Sequence, residues 1–226
     1  MMNVHIIIKM ELNYSPPHTN ISVRRNFMSY SIIGFGAVGQ ALARAFARQN
    51  IEVTVASRRT PEALTPQAQA IGSAVSPRTL QDALQADVIF LAVPFAEHVT
   101  VARSRANWQG KTIIDVTNAY GVPVEELGGQ PSSCVIARAF AGANVVKGFN
   151  HLPAGLLAAD PNIEGGHRVV FLSSDDDNAV PPVAALAERL GFAPVWLGKL
   201  AEGGALVQAC GSTWAPLIFQ DLVKLA

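Results

Sequence analysis

The residues best suited to chemistry come early. Ser31-Ile-Ile-Gly34-Phe35-Gly36-Ala37-Val38-Gly39 is an apolar run entering a G-x-G-x-x-G pattern, and Val53-Thr-Val-Ala-Ser57-Arg58-Arg59 follows it. In a strand–turn–helix setting the first glycine permits the tight turn, the second lets the backbone approach a pyrophosphate, and the third lets helix and strand pack closely. The helix expected from about Val38 to Gln49 aims free N–H groups and its positive dipole end at the phosphates. The second strand ends in Ser57-Arg58-Arg59, where NAD sites usually carry Asp or Glu for the ribose hydroxyls. A hydroxyl and two guanidinium groups suit a 2′-phosphate instead, through charge-assisted hydrogen bonds. The expected cofactor is therefore NADP.

Elements that would hold these loops follow along the chain. Asp87-Val-Ile-Phe-Leu-Ala-Val-Pro94 is a continuous apolar run, as in a central parallel strand. A helix over Glu97–Trp108 is expected next, then strands at Lys111–Thr117 and Val145–Gly148 and a short helix at Ser133–Phe140. A strand at Arg168–Ser173, a helix at Asn178–Leu190, a strand at Ala193–Leu197 and a helix over Glu202–Leu225 complete the reading. The alternation implies an α/β fold: a Rossmann-type, doubly wound, mainly parallel sheet with a small C-terminal helical segment. The expected boundaries are an irregular tail at 1–27, an NADP-binding domain at 28–198 and a C-terminal helical segment at 199–226. Met28 precedes the first strand and is read as the natural start, with a genuine N-terminal extension as the alternative.

Ligands in such sheets lie outside the carboxyl ends of the strands. Candidates there are Ala92-Val93-Pro94, Asn118, and Phe149-Asn150-His151. Asn150 and His151 are the expected catalytic or acceptor-side positions, and Asn118 and Phe149 are expected at the cofactor. Asn and Pro also serve as turn and cap residues. Asp175-Asp176-Asp177 resembles a metal box but directly precedes a helix, so capping is the expected role and no metal is assigned. Hydride transfer from nicotinamide to a flavin-like ring needs little beyond positioning and water exclusion, which fits a chain with no evident acid–base pair.

Composition narrows the classes. The chain has 226 residues, of which 50% are hydrophobic and 15% charged, with 17 basic and 17 acidic side chains and no net charge. That balance points to no nucleic-acid or anionic-membrane partner. No run of about eighteen apolar residues suggests a membrane span. Two cysteines, Cys134 and Cys210, give no disulfide framework and fit a reducing cytoplasm. The segment Ala205–Leu217 is a candidate homodimer surface.

Six stretches then carry a resemblance: Gly34–Gly39, Ala56-Ser-Arg-Arg59, Leu91-Ala-Val-Pro94, Asp115-Val-Thr-Asn118, Val145-Val-Lys-Gly-Phe-Asn150 and Leu190-Gly-Phe-Ala-Pro-Val-Trp-Leu-Gly198. From Met28 to about Leu225 the chain resembles the NADPH-dependent deazaflavin-coenzyme (F-420) reductases. The pattern also occurs in their relatives, including the cytosolic domain of six-transmembrane metalloreductases. The resemblance implies NADP over Phe35–Val38, its 2′-phosphate at Ser57, Arg58 and Arg59, and Ala92–Pro94 and Phe149–Asn150 lining the nicotinamide side. Gly148 and His151 depart from the family's usual Ala and Thr, and the acceptor is left open. The readings are an oxidoreductase passing hydride to a small-molecule acceptor, a non-enzymatic NADP sensor, and an imine or β-hydroxyacid reductase. The last normally carries a long helical domain after the nucleotide domain, and only about 28 residues follow Gly198.

Overall fold

The computed structural model describes residues 28–123, 125–209 and 222–225. The chain begins with the unit β1 (Tyr30–Ile33), α1 (Ala37–Arg48), β2 (Val53–Ala56), α2 (Pro61–Ile71), β3 (Val75–Pro77) and α3 (Leu80–Ala83). It continues with β4 (Val88–Leu91), a 3-10 turn (Phe95–Glu97), α4 (His98–Arg103), β5 (Thr112–Asp115), α5 (Ser132–Ala139) and β6 (Asn144–Gly148). The remainder is α6 (Ala154–Ala158), β7 (Asn162–Ile163), β8 (Gly166–Ser174), α7 (Val180–Arg189), β9 (Ala193–Trp196), α8 (Gly203–Leu206) and β10 (Val223–Leu225).

The first six strands lie in the order β3-β2-β1-β4-β5-β6, all parallel. This is the doubly wound arrangement whose chain reversal leaves a crevice between β1 and β4. β8 then adds antiparallel to β6, and β9 adds parallel to β8. The fold is the expected mainly parallel, Rossmann-type sheet. β1, β2 and β4 are apolar on both faces, so helices must cover both sides. Two clusters do so. One packs α1, α6 and α7 through Leu42, Phe46, Leu157, Val183 and Leu186. The other packs α3, α4 and α5 through Leu84, Val101, Ile136 and Phe140. Phe46, Phe90, Phe149 and Phe192 form an edge-to-face chain through the first cluster.

Two expectations change. The helix expected over Glu97–Trp108 stops at Arg103, after which Trp108 turns into the core and donates its indole N–H to the Ala102 carbonyl at 3.0 Å. The helix expected over Glu202–Leu225 is α8 at its start, whereas Val223–Leu225 pairs antiparallel with the beginning of β8. The Val-Lys-Leu alternation suits a strand, and β8 offers an edge there. Residues 210–217 of the expected dimer surface, and the tail 1–27, lie outside the described residues.

Candidate active site at the strand carboxyl ends

Gly34 and Gly39 are required by the backbone itself. Gly34 adopts φ +103°, and a Cβ there would lie 2.2 Å from the Ala92 carbonyl oxygen. A Cβ on Gly39 would lie 1.9 Å from the Gly34 carbonyl oxygen. These contacts pin the start of α1 against β1 and β4. Gly36 differs, since a Cβ there would meet none of the described residues within 4 Å. Gly36 is the residue just before α1, no side chain caps the helix, and its first turn carries no acidic residue. A free helix N-terminus facing open space is suited to an anion.

That space is a cavity of ≈ 430 Å³. Its walls bring together Gly34, Phe35, Gly36, Ser57, Arg58, Arg59, Ala92, Val93 and Pro94, nine of the expected cofactor residues. Ala37, Val38 and Gly39 belong to α1 behind that wall. Leu80, Glu97, Thr100 and Val101 also line the cavity and were not expected there. Ser57 Oγ accepts the Arg59 backbone N–H at 3.0 Å, which shapes the loop after β2. Arg59 is held along it by Gln67 Oε1 at 3.0 Å, while the largely exposed Arg58 reaches Glu97 Oε1 at 3.2 Å.

At the ends of β5 and β6 a second group is built differently. Asn118 Nδ2 donates to the Asn150 carbonyl at 2.8 Å. Asn150 Nδ2 donates to Asn118 Oδ1 at 3.0 Å and to the Val207 carbonyl at 2.7 Å. Asn150 is buried, yet its Oδ1 accepts no hydrogen bond from the described residues. Behind it lies an ion pair that sequence reading missed. Lys147 and Asp115 are register partners on β6 and β5, and both are wholly buried. Lys147 Nζ donates to Asp115 Oδ2 at 3.1 Å and to the Thr117 carbonyl. Asp115 Oδ1 accepts the Thr117 N–H at 2.9 Å and hydroxyl at 2.7 Å. Burial pushes the Lys147 ammonium's pKa down, and the Asp115 carboxylate opposes the shift. The network fixes the loop that carries Asn118.

Two expected site residues are placed otherwise. Phe149 sits in the core between Phe90 and Phe192. Its φ of +61° turns the chain at the end of β6, so its contribution is the bend that sets Asn150 beside Asn118. His151 is wholly buried, with Nε2 3.2 Å from the Val169 carbonyl, the ring against Phe171, and Nδ1 without a partner among the described residues. Burial pushes its pKa down to about 4, so the ring is neutral near pH 7. Gly148, the other departure from the resembled family, faces the same strand: a Cβ there would lie 2.8 Å from Leu172 Cδ2. Both departures therefore belong to the packing of β6 and its following turn against β8.

The aspartate triplet forms no helix cap. Asp176 Oδ1 accepts the Asn178 N–H at 2.9 Å, Asp175 Oδ1 accepts the Leu200 N–H at 3.0 Å, and Asp177 pairs with Lys199 at 2.6 Å. Asp175 and Asp177 tie the chain before α7 to the segment after β9, while Asp176 closes the local turn. His98 begins α4 with Nδ1 2.5 Å from the Phe95 carbonyl. Among the described residues no helix is long and apolar enough to cross a membrane.

Comparison with known proteins fits this geometry. The family described as NADP oxidoreductase, coenzyme F420-dependent, matches residues 29–119, which hold the whole glycine loop, the Ser57–Arg59 stretch and the Ala92–Pro94 turn. The structure of a hypothetical protein from Sinorhizobium meliloti is 40% identical, with a TM-score of 0.81 over 88% of this chain and 96% of that one. A chain from Arthrobacter sp. FB24, provisionally described as an F420-dependent NADP reductase, is 28% identical, with a TM-score of 0.66 over 80% of this chain and 90% of that one. The rat metalloreductase STEAP3 is 31% identical over 76% of this chain and 34% of its own length, so the chain spans about a third of the curated relatives it matches. A bare helix N-terminus behind two sterically required glycines, arginines rather than a carboxylate after β2, and these similarities agree: over residues 29–119 the chain carries the NADP-binding domain of the family described as NADP oxidoreductase, coenzyme F420-dependent.

Proposed function

We propose that the chain uses NADPH to reduce a small planar acceptor, a flavin or deazaflavin, in the cytoplasm. The observation that carries this reading is the joint lining of one cavity by the glycine loop and Ser57, Arg58 and Arg59. The pyrophosphate would lie over Gly36 at the start of α1, with the 2′-phosphate at the arginines. The Ala92–Pro94 turn would direct the rest of the dinucleotide toward Asn118 and Asn150. The orphaned Asn150 Oδ1 is an acceptor suited to the nicotinamide carboxamide N–H₂. When bound, the reduced nicotinamide supplies a hydride.

The protein's part is then positional. Asn150 holds the nicotinamide ring. The Lys147–Asp115–Thr117 network keeps Asn118 in place, and the Val207 segment excludes water from that end. His151 enters as a neutral packing group. A flavin-type acceptor needs no proton donor at the transferring carbon, which suits a site whose nearest imidazole is buried.

The test is stopped-flow oxidation of NADPH by FMN, FAD, the deazaflavin coenzyme and ferric citrate. Turnover with a flavin or the deazaflavin, and its loss in Asn150→Ala with NADPH binding retained, is the expected result. Tight NADPH binding with no oxidation by any of the four would overturn this acceptor assignment. Reduction of ferric citrate without added flavin would move the assignment toward a metal chelate.

A further inference from the structure

We infer that Glu97 is a specificity-determining residue: its carboxylate competes with the ligand's 2′-phosphate for the Arg58 guanidinium. The inference rests on the 2′-phosphate placement proposed above. Glu97 and Arg58 come from opposite sides of the crevice, one after β4 and the other after β2, with β1 between those strands. Both line the cavity, and Arg58 Nη1 bridges to Glu97 Oε1 at 3.2 Å.

The two partners are not held alike. Glu97 closes a 3-10 turn in which its own N–H donates to the Pro94 carbonyl at 2.9 Å. Phe95 and His98, on either side, pack ring to ring at 4.7 Å. The carboxylate is therefore presented from a fixed turn. Arg58 is reached only by its own long side chain, which is 86% exposed. A phosphate site gains nothing from a carboxylate on its wall, because a dianion is repelled by it. What Glu97 does is occupy the guanidinium that the phosphate needs. NADPH must displace it, and the displaced carboxylate then disfavours the bound phosphate. Glu97 thus lowers affinity for 2′-phosphorylated ligands and leaves the unphosphorylated ones alone, which favours release of both NADPH and its oxidised product.

Isothermal titration of the full chain tests this with NADPH, NADH, adenosine 2′,5′-bisphosphate and 5′-AMP. Glu97→Gln should tighten NADPH and the bisphosphate by roughly three- to tenfold and change NADH and 5′-AMP less than about twofold. The gain should shrink at high salt and vanish in Glu97→Gln/Arg58→Ala. Glu97→Ala repeats the measurement if the glutamine variant melts early. Unchanged or weaker NADPH binding overturns the competition, and equal tightening of NADH does so as well. Arg58→Ala alone separates the two ideas. If it weakens NADPH while Glu97→Gln does nothing, only the competition fails. If it changes no ligand, the 2′-phosphate placement fails with it.

Discussion

At the ends of β1, β2 and β4 the walls are glycine backbone and exposed guanidinium groups around ≈ 430 Å³ of open space. At the ends of β5 and β6 the polar groups are buried and bonded to one another, from Lys147 through Asp115 and Thr117 to the Asn118–Asn150 pair. One region leaves room and charge for a ligand, the other a fixed frame in which, among the described residues, Asn150 Oδ1 and His151 Nδ1 are left without partners. An adenosine phosphate end can be recognised by flexible charged side chains, because the energy lies in a few strong hydrogen bonds. A ring that must present one face to an acceptor needs a frame that does not move. Affinity and cofactor choice should thus reside in the first region, and geometry and stability in the second.

The contrast is broken most severely through the glycines. Gly39→Val should cost more than about 4 kcal/mol or prevent folding, because the side chain meets the Gly34 carbonyl. Gly36→Val should melt within a few degrees of the unmodified protein yet lose NADPH binding, since its side chain fills only the open cavity. Differential scanning calorimetry with NADPH titration checks both, and normal NADPH affinity in Gly36→Val would remove the phosphate from this loop.

In the second region, Lys147→Met leaves the Asp115 carboxylate buried without its cation, at a cost of about 3–5 kcal/mol in urea unfolding. Asp115→Leu together with Lys147→Met should recover most of that loss. A cost under about 1 kcal/mol for the single variant would show that water reaches the pair.

The next effect is pH dependent. His151 has its folded pKa lowered to about 4 from an ordinary value of 6.5, so the unfolded chain binds the proton first. Stability should be complete above about pH 6.5 and fall by on the order of 3 kcal/mol as pH drops toward 4. His151→Phe should remove that part of the slope. An unchanged slope would assign it to the carboxylates.

The smallest effect belongs to the exposed end. Arg58→Ala should weaken NADPH roughly tenfold and leave NADH nearly unchanged, a modest loss because the side chain is mostly in water. Equal losses for the two cofactors would mean that Arg58 contacts the part they share.

Several elements between β2 and β4 had local signals that the sequence reading passed over. Thr60 and Thr79 cap α2 and α3 by accepting the N–H of Ala63 and Asp82, and Pro61 stands at the first helical position of α2. Pro66 inside α2 blurs the periodicity there. The end of the chain misled for a different reason: an apolar segment reads as helix or strand according to what edge it meets, and Val223–Leu225 meets β8.

The features legible in residue order alone are local in the chain: the glycine loop, the end of the second strand with its arginines, and the parallel apolar strands. A turn's steric demand and a helix N-terminus's charge preference act within a few residues and so leave a mark in residue type and spacing. The tertiary structure alone decided the rest. Asp115 meets Lys147 across 32 positions of chain, and Arg58 meets Glu97 across 39. His151 and Gly148 became packing groups because β8 came to lie against them. Such partnerships depend on strand register and on which edge is free. A one-residue slip would turn Lys147 to the other face of the sheet, and no spacing within either segment encodes the choice.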